Sequence, residues 1–256
     1  AVGQDASSQQ FSQELSAEHI GASHVIQLDK LRMGLYMIHT DAAGERSFSY
    51  WRNQSAARSL FKQDINFVEL FSQYSAVYLS GISVAILDTA DREKLISYLA
   101  EYRKQGGIVV FDPNYRPALW ESLADAQEYY EKFYQLTDIA LPGLDDHKDI
   151  FGHENQQQVQ VYLASLGVKE QVIKCGLAGM YVYHANQLAC HLPFTPAEVQ
   201  VDSTAAGDSF AGVYVAKRLK DYSMQEAVVA AADVARFVVG QPGAIVDADV
   251  FKQDCS

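Results

Sequence analysis

The sequence predicts an α/β fold in which helices cover a mostly parallel sheet, and a small β-hairpin forms a separate piece. From about Tyr74 onward, short apolar runs alternate with longer segments of helical periodicity, which is typical of right-handed βαβ crossovers. Turn-forming residues follow the apolar runs. Nearer the start, two alternating runs rich in aromatic residues flank a Gly-containing turn, and this pattern indicates the hairpin.

The composition is that of an acidic globular protein. Of 256 residues, 48% are hydrophobic and 20% are charged, and the formal net charge is -12. We therefore expect no nucleic-acid partner, because such proteins need a basic face, and no apolar run is long enough to span a membrane. The 3 cysteines show no CxxC spacing, which favours a reducing, cytoplasmic setting. The histidines show no metal-binding spacing, and His147 is expected to be an ordinary polar residue.

The first elements are a helix and the hairpin. Asp5 is a suitable N-cap residue and Gly21 a stop signal, so a helix is predicted between them. The hairpin extends over about residues 33–53, with its turn at residues 41–44.

Later elements alternate along the chain. Helices are predicted at about residues 91–104, 124–136, 156–166, 208–220 and 224–239. Strands are predicted in the runs AVYLSG, GIVVFDPN, DIALPG, EQVIKCG and EVQVDS, and GMYVYHANQLACHL predicts a second hairpin that turns at Ala185 and Asn186.

Small or turn-forming residues follow the predicted strands. In an open α/β sheet such positions meet at the carboxyl edge, where ligands bind. The sequence therefore predicts a ligand site along this edge, formed by Gly81, residues 112–114, residues 142–143, Gly176 and residues 203–207.

The most specific stretch is DSTAAGD, residues 202–208, at a predicted strand-to-helix junction. Ala205, Ala206 and Gly207 would let a ligand approach the backbone closely. The first helical turn supplies unpaired N–H groups and partial positive charge, which together favour a phosphate group. Asp208 beside them could accept a proton from an attacking hydroxyl, although helix capping would also explain an aspartate here.

Two other loops offer cations. Arg116, placed directly after a turn, suits bidentate binding of a carboxylate or phosphate, with an ion pair to a nearby acid as the alternative. Lys174, Gly176 and Gly179 could meet the phosphates of a nucleotide, although a hairpin turn explains the glycines equally well.

Carboxylates and hairpin residues complete the candidates. Asp145 and Asp146 follow a predicted strand and could help to hold hydrated Mg²⁺, with N-capping as the alternative. Tyr36, Tyr50 and Arg52 could bind a sugar-like ligand, or the aromatic rings could simply pack a sheet face.

Together these residues resemble the ribokinase (PfkB) family of carbohydrate kinases. DSTAAGDSFAG is similar to the family signature D-T-x-G-A-G-D, with Ser203 and Ala205 where Thr and Gly are common. The runs GLYMIHTDAAGERSFSYWRNQSAAR, YLSGISVAIL and DPNYRPALW resemble the members that phosphorylate 2-dehydro-3-deoxygluconate, a sugar acid. The resemblance covers nearly the whole chain.

The resemblance implies a ribokinase-like, three-layer α/β core with the hairpin as a lid. It implies one domain over residues 1–256, without the family's first strand, and a homodimer formed through the lid. The implied reaction is ATP- and Mg²⁺-dependent phosphorylation of the terminal hydroxyl of the sugar acid, giving the 6-phosphate. A family kinase of a neutral sugar, such as a fructokinase, and a non-catalytic sugar-acid or nucleotide-binding module are the alternatives.

The resemblance also implies roles for single residues. Asp208 becomes the catalytic base, and Ala205, Ala206 and Gly207 become the anion hole. Asp146 stands where the family has the acid of its Mg²⁺-handling N-x-x-E motif. Substrate contacts are Tyr36, Tyr50, Arg52 and Arg116, and the nucleotide region contains Asn114, Lys174, Gly176 and Gly179. Two arginines suit a substrate that carries a carboxylate.

Overall fold

The structure is a computed structural model, which describes residues 1–40, 46–247 and 250–251. The chain divides into two compact units, one made of Ala1–Leu70 with Ser83–Glu101 and the other of Phe71–Ile82 with the chain from Tyr102 onward. The predicted hairpin turn at residues 41–44 lies outside the described residues. Within the described residues, no helix combines the length and the apolar character of a membrane span.

Helices and strands alternate along most of the chain, as predicted. Short 3-10 helices cover Ala56–Lys62, Pro117–Leu119 and Gly176–Ala178. The α-helices are α1 (Ala6–Ala17), α2 (Phe67–Ser72), α3 (Gly81–Ala85), α4 (Thr89–Lys104), α5 (Leu123–Tyr134), α6 (Leu144–Phe151), α7 (Gln156–Ser165), α8 (Ala206–Arg218) and α9 (Met224–Val239). The strands are β1 (Leu35–Thr40), β2 (Arg46–Trp51), β3 (Ala76–Ser80), β4 (Ile108–Asp112), β5 (Ile139–Ala140), β6 (Glu170–Lys174), β7 (Met180–His184) and β8 (Gln187–Leu192).

The first unit confirms the predicted helix and hairpin. The Asp5 carboxylate accepts a hydrogen bond from the Ser8 N–H at 3.2 Å and caps α1. Strands β1 and β2 pair antiparallel, with Tyr36 opposite Tyr50. The core of this unit contains stacked aromatic rings, with the Phe61 and Phe67 centroids 4.4 Å apart.

The second unit contains the main sheet. Its described strands lie in the order β3-β4-β5-β6-β7-β8. Strands β3 to β6 are parallel and β7 and β8 are antiparallel, so the predicted mostly parallel sheet and the second hairpin are confirmed. Successive residues of β4 face opposite sides of the sheet: Val110 packs in the cluster with α8 and α9, and Phe111 packs on Phe133 of α5. Both residues are fully buried, as expected for a strand covered on two faces.

A buried ion pair orients α8 against the sheet. Arg218, at the end of α8, donates to both carboxylate oxygens of Glu170 at 2.8 and 2.9 Å, and the Tyr214 hydroxyl donates to the same carboxylate at 2.8 Å. Glu170 begins β6. Because the end of α8 is held at the start of β6, the first turn of α8 lies toward the carboxyl edge of the sheet.

The prediction of a strand in EVQVDS is wrong. Residues 198–203 form no strand, and Val199 and Val201 are exposed. The N–H groups of Val201 and Asp202 both donate to the carbonyl of Val239, at 2.9 and 3.1 Å. The segment therefore satisfies its backbone at the end of α9 instead of pairing in the sheet.

His147 is also not the ordinary polar residue expected. Its side chain is fully buried, with Nε2 2.8 Å from the Tyr134 hydroxyl and Nδ1 3.1 Å from Nδ1 of His153. Burial, with a smaller effect of His153, lowers the pKa of His147 from its ordinary 6.5 to about 3. Burial also lowers the pKa of His153.

We expect this pair to make folding acid-sensitive. The folded state resists protonation of His147, so its contribution to stability is complete above the unfolded pKa near 6.5 and is lost as the pH falls toward 3. The loss approaches about 1.4 kcal/mol per pH unit. Urea unfolding between pH 7 and pH 4.5 should therefore give a shallower pH dependence for His147→Gln than for the wild type. The exposed His184 provides the control variant, His184→Gln, whose curve should keep the wild-type slope; equal slopes for all three proteins would contradict the prediction.

Candidate active site

The loop before α8 is held in an unusual backbone conformation. Ala205, the N-cap residue, has φ 61° and ψ 7°, a left-handed conformation that costs a non-glycine residue about 1–2 kcal/mol. The Asp202 carboxylate holds the loop at both oxygens, because it accepts from the Thr204 N–H at 2.8 Å and from the Gly243 N–H at 3.2 Å. Asp202 therefore restrains the loop that leads into the first turn of α8.

Two backbone donors are open at this turn. The Ala206 N–H donates to the Ser203 carbonyl at 3.3 Å, whereas the N–H groups of Gly207 and Asp208 have no acceptor in the described part of the chain. A Cβ atom built on Gly207 would meet nothing within 4 Å. Open donors, free space and the helix dipole together suit an anionic group.

Asp208 does not cap the helix. It lies in the first turn of α8, and its carboxylate makes neither a capping hydrogen bond nor an ion pair with any described residue. The side chain therefore makes no capping hydrogen bond, although its place in the first turn still suits an acid near the positive end of the helix dipole. Burial raises the pKa of Tyr78, and the charges of Asp112 and Asp208 raise it further. The exposed Asp208 carboxylate and Asp112, at the end of β4, therefore both act on the hydroxyl of Tyr78.

The turn after β4 packs closely over the end of β3. A Cβ atom on Gly81 would collide with the Pro113 carbonyl, which accepts a hydrogen bond from the Tyr130 hydroxyl at 2.8 Å. The Asn114 side chain donates to the Ser80 hydroxyl at 3.2 Å. Gly81 is therefore required by close approach, and Asn114 is anchored at the carboxyl edge.

Lys174 is paired with a buried acid. Its ammonium lies 2.7 Å from Asp112, whose side chain is 7% exposed against 22% for that of Lys174. The other oxygen of Asp112 accepts from the Asn114 N–H at 3.2 Å. The structure therefore brings the predicted nucleotide residues Asn114 and Lys174 together through Asp112, which the sequence predicted at this edge without a role of its own.

Asp146 faces the same turn. Its carboxylate accepts from the Tyr115 N–H at 3.0 Å, while Gly143 occupies the N-cap of α6 without a side-chain cap. Burial and then the charge of Asp112 raise the pKa of Asp146, and Lys174 and Arg116 oppose this effect. Asp146 thus lies at the carboxyl edge of the sheet, where the charge of Arg116 acts on its carboxylate.

Arg116 is exposed at this edge. Its guanidinium donates to the carbonyl of Tyr115 at 2.8 Å and makes no ion pair with a described acid. The ion-pair alternative is therefore not supported, and most of its donors stay available. Among the described residues, no group of three or more His, Cys, Asp or Glu side chains could hold a metal on its own.

An apolar cavity of about 370 Å³ adjoins the first turn of α8. Ser203 and Ala206 form the end nearest this turn. Of the two glycines predicted in the nucleotide region, Gly179 lines the cavity and Gly176 does not. The other lining residues are Met180, Leu192, Pro193, Phe194, Thr195, Pro196, Ala197, Gln200, Val229, Ala232, Asp233, Ala235, Arg236 and Val239. Sequence reasoning missed this cavity, and the only signal was the run of small residues in α9.

The hairpin residues lie together in the first unit. The Tyr36 and Tyr50 ring centroids are 6.1 Å apart, and the Arg52 guanidinium carbon lies 4.2 Å from the Tyr50 centroid. Gly34 permits this arrangement, since a Cβ atom on it would lie 2.9 Å from that of Arg52. Tyr50 and Arg52 also line a cavity of about 710 Å³ together with Lys30. The roles of all these site residues stay predictions.

Comparison with known proteins identifies the family of the chain. Residues 1–250 match the model of the pfkB family of carbohydrate kinases. A 2-dehydro-3-deoxygluconokinase of Escherichia coli K12 is 39% identical over 250 residues, which is 96% of this chain and 81% of that protein. A 2-dehydro-3-deoxygluconokinase of Dickeya dadantii is 38% identical with the same two coverages.

Solved structures share the fold. The 2-dehydro-3-deoxygluconokinase of Thermotoga maritima aligns with a TM-score of 0.83 at 19% identity, covering 96% of this chain and 78% of that one. A ribokinase II of E. coli, in complex with ATP and Mg²⁺, aligns with a TM-score of 0.83 at 23% identity, covering 95% and 76%. The predicted ribokinase-like core is therefore confirmed. By the family match and the identity with these relatives, the chain belongs to the pfkB family of carbohydrate kinases.

Proposed function

We propose that this carbohydrate kinase transfers the γ-phosphoryl group of ATP to the terminal hydroxyl of 2-dehydro-3-deoxygluconate. One observation carries the proposal. Asp208, whose carboxylate makes no capping hydrogen bond, lies beside the open N–H groups of a helix whose first turn adjoins an apolar cavity. The relatives named for this activity, at 39% and 38% identity, support the choice of substrate.

The first turn of α8 suits the chemistry of phosphoryl transfer. The substrate hydroxyl loses its proton to Asp208 as its oxygen bonds to the γ-phosphorus. The bond from that phosphorus to the bridging oxygen of the β-phosphate breaks, and ADP leaves. Charge on the transferred group is stabilised by the N–H groups of Gly207 and Asp208, which are already oriented before the reaction.

The apolar cavity suits the base of the nucleotide. Ligand pockets of this kind are mostly apolar with a few polar groups, and a base in the cavity would place its phosphates toward Ala206. Asp146 is the carboxylate that we assign to hydrated Mg²⁺, which uses one or two carboxylates together with phosphate oxygens and water. Bound there, Mg²⁺ would neutralise charge on the phosphates.

The substrate carboxylate needs cationic partners. Arg116 in the second unit has free donors, and Arg52 in the first unit is held over Tyr50. Each suits a carboxylate better than a neutral sugar. Pairing of two copies through the hairpin stays a prediction, supported by its exposed Leu35 and Trp51, at 60% and 57% exposure.

Asp208→Asn should remove the general base. We expect kcat to fall by roughly 10²–10⁴, while the dissociation constants of ATP and the sugar acid, measured by calorimetry, change little. Asp64→Asn, at an exposed position of the first unit to which no role is assigned, is the control and should keep wild-type turnover. Wild-type turnover in Asp208→Asn would exclude this residue as the base.

Gly207→Ala separates function from stability. Alanine is the better helix residue, so we expect the free energy of unfolding to rise by about 0.5–1 kcal/mol. The new methyl group would occupy the space a phosphate needs, so kcat/KM should fall at least about tenfold. Gly212→Ala in the same helix also has free space around its Cβ position, and should stabilise without loss of activity. Equal activities of the two variants would contradict the close approach.

Arg116→Met and Arg52→Met test the sugar-acid assignment one residue at a time. Each should raise KM for 2-dehydro-3-deoxygluconate by about tenfold or more, because a hydrogen-bonded charge pair is lost, and leave KM for ATP unchanged. Fructose and ribose serve as neutral acceptors in parallel assays. A wild-type preference for either neutral sugar would replace the proposed substrate.

A further inference from the structure

We propose that Asp112 is a positioning residue for two cations of the site. One carboxylate oxygen holds Lys174 directly, and the other holds the turn that leads to Arg116. The inference rests on the proposed function for the ligands of these cations. Asp112 itself touches neither substrate, because it is buried beneath the turn, at 5% exposure.

The first oxygen holds Lys174. Its ammonium lies 2.7 Å from Oδ2 of Asp112, although the two residues are 62 positions apart in the sequence. They end β4 and β6, with β5 between them, so the lysine side chain crosses the end of the intervening strand. A lysine side chain is flexible and carries three donors. With one donor fixed on Asp112, the other two stay available to a phosphate.

The second oxygen holds the turn that leads to Arg116. Oδ1 accepts from the Asn114 N–H at 3.2 Å, and Asn114 has φ 35°, outside the usual range for a residue with a side chain. Asp146 accepts from the next N–H, that of Tyr115, at 3.0 Å. Arg116 follows directly, so its backbone position depends on these two carboxylates.

An isosteric variant separates the two oxygens. In Asp112→Asn, Oδ1 can still accept from the Asn114 N–H, but the charge facing Lys174 is lost. We expect KM for ATP and the dissociation constant of Mg-ADP to rise about tenfold, with KM for the sugar acid within twofold of wild type. Asp112→Ala loses both contacts and should raise both KM values.

A double variant tests whether Asp112 acts through Lys174. Lys174→Gln alone should weaken Mg-ADP binding about as much as Asp112→Asn does, and the double variant should be no worse than Lys174→Gln. If Asp112→Asn fails to fold, two double variants without charge at either position are compared. Both carry Lys174→Met, with Asp112→Asn in the first and Asp112→Ala in the second. A sugar-acid KM raised only in the second of these supports the role of Oδ1, and equal values overturn it.

The chain offers a matched control at the opposite end of the sheet. Arg103 donates to both oxygens of Asp138, to Oδ1 at 2.8 Å and to Oδ2 at 3.2 Å, and Oδ2 also accepts from the Val109 N–H at 2.9 Å. Asp138→Asn should lower stability without changing either KM. If Asp112→Asn behaves in the same way, or raises both KM values equally, Asp112 is only structural and the proposal is overturned.

The two proposals fail separately. A wild-type protein that does not phosphorylate 2-dehydro-3-deoxygluconate would refute the proposed function, yet Mg-ADP calorimetry on the same variants would still decide between an Asp112 that acts through Lys174 and one that does not. Unchanged Mg-ADP affinity in Asp112→Asn would refute the inference even in an active kinase.

Discussion

The candidate site depends first on the carboxylate of Glu170. It receives two hydrogen bonds from Arg218 and one from Tyr214, so it holds the end of α8 at the start of β6. A helix of 13 residues spans about 20 Å, and a strand of 5 about 16 Å. The first turn of α8 must therefore reach the opposite edge of the sheet. The open N–H groups of Gly207 and Asp208 lie there as a consequence of a contact a helix length away.

The charges at that edge explain why a kinase can work with so acidic a sequence. Asp112, Asp146 and Asp208 lie at the edge that would receive an anionic nucleotide under the proposed function, and Lys174 is paired with Asp112 there. Backbone donors and a helix dipole attract phosphate without adding a cationic side chain, and Mg²⁺ would supply the remaining positive charge. Burial, and after it the charge of Asp112, raises the pKa of Asp146 at this edge.

Local signals in the sequence were enough for most of the fold. The bounds of α9 (Met224–Val239), the Asp5 cap and the turn at Ala185 and Asn186 follow from periodicity and turn chemistry. Other features depend on partners far along the chain. Residues 198–203 alternate like a strand but bond to the end of α9, and His147 is buried by aromatic neighbours from other elements. The apolar cavity and the Asp112–Lys174 pair are likewise invisible to local patterns, because residues from distant segments form them.

Ala205 shows which part of the site is constrained by backbone rather than by side chains. Where the family signature commonly has glycine, this chain accepts a left-handed alanine, and the two hydrogen bonds of Asp202 offset a cost of about 1–2 kcal/mol. Since the donors that would bind phosphate belong to the main chain, small residues can replace one another there as long as the turn keeps its shape. Asp208 has no such freedom, because its function would depend on one carboxylate at one position. A substitution that preserves the turn should therefore be tolerated at Ala205 and not at Asp208.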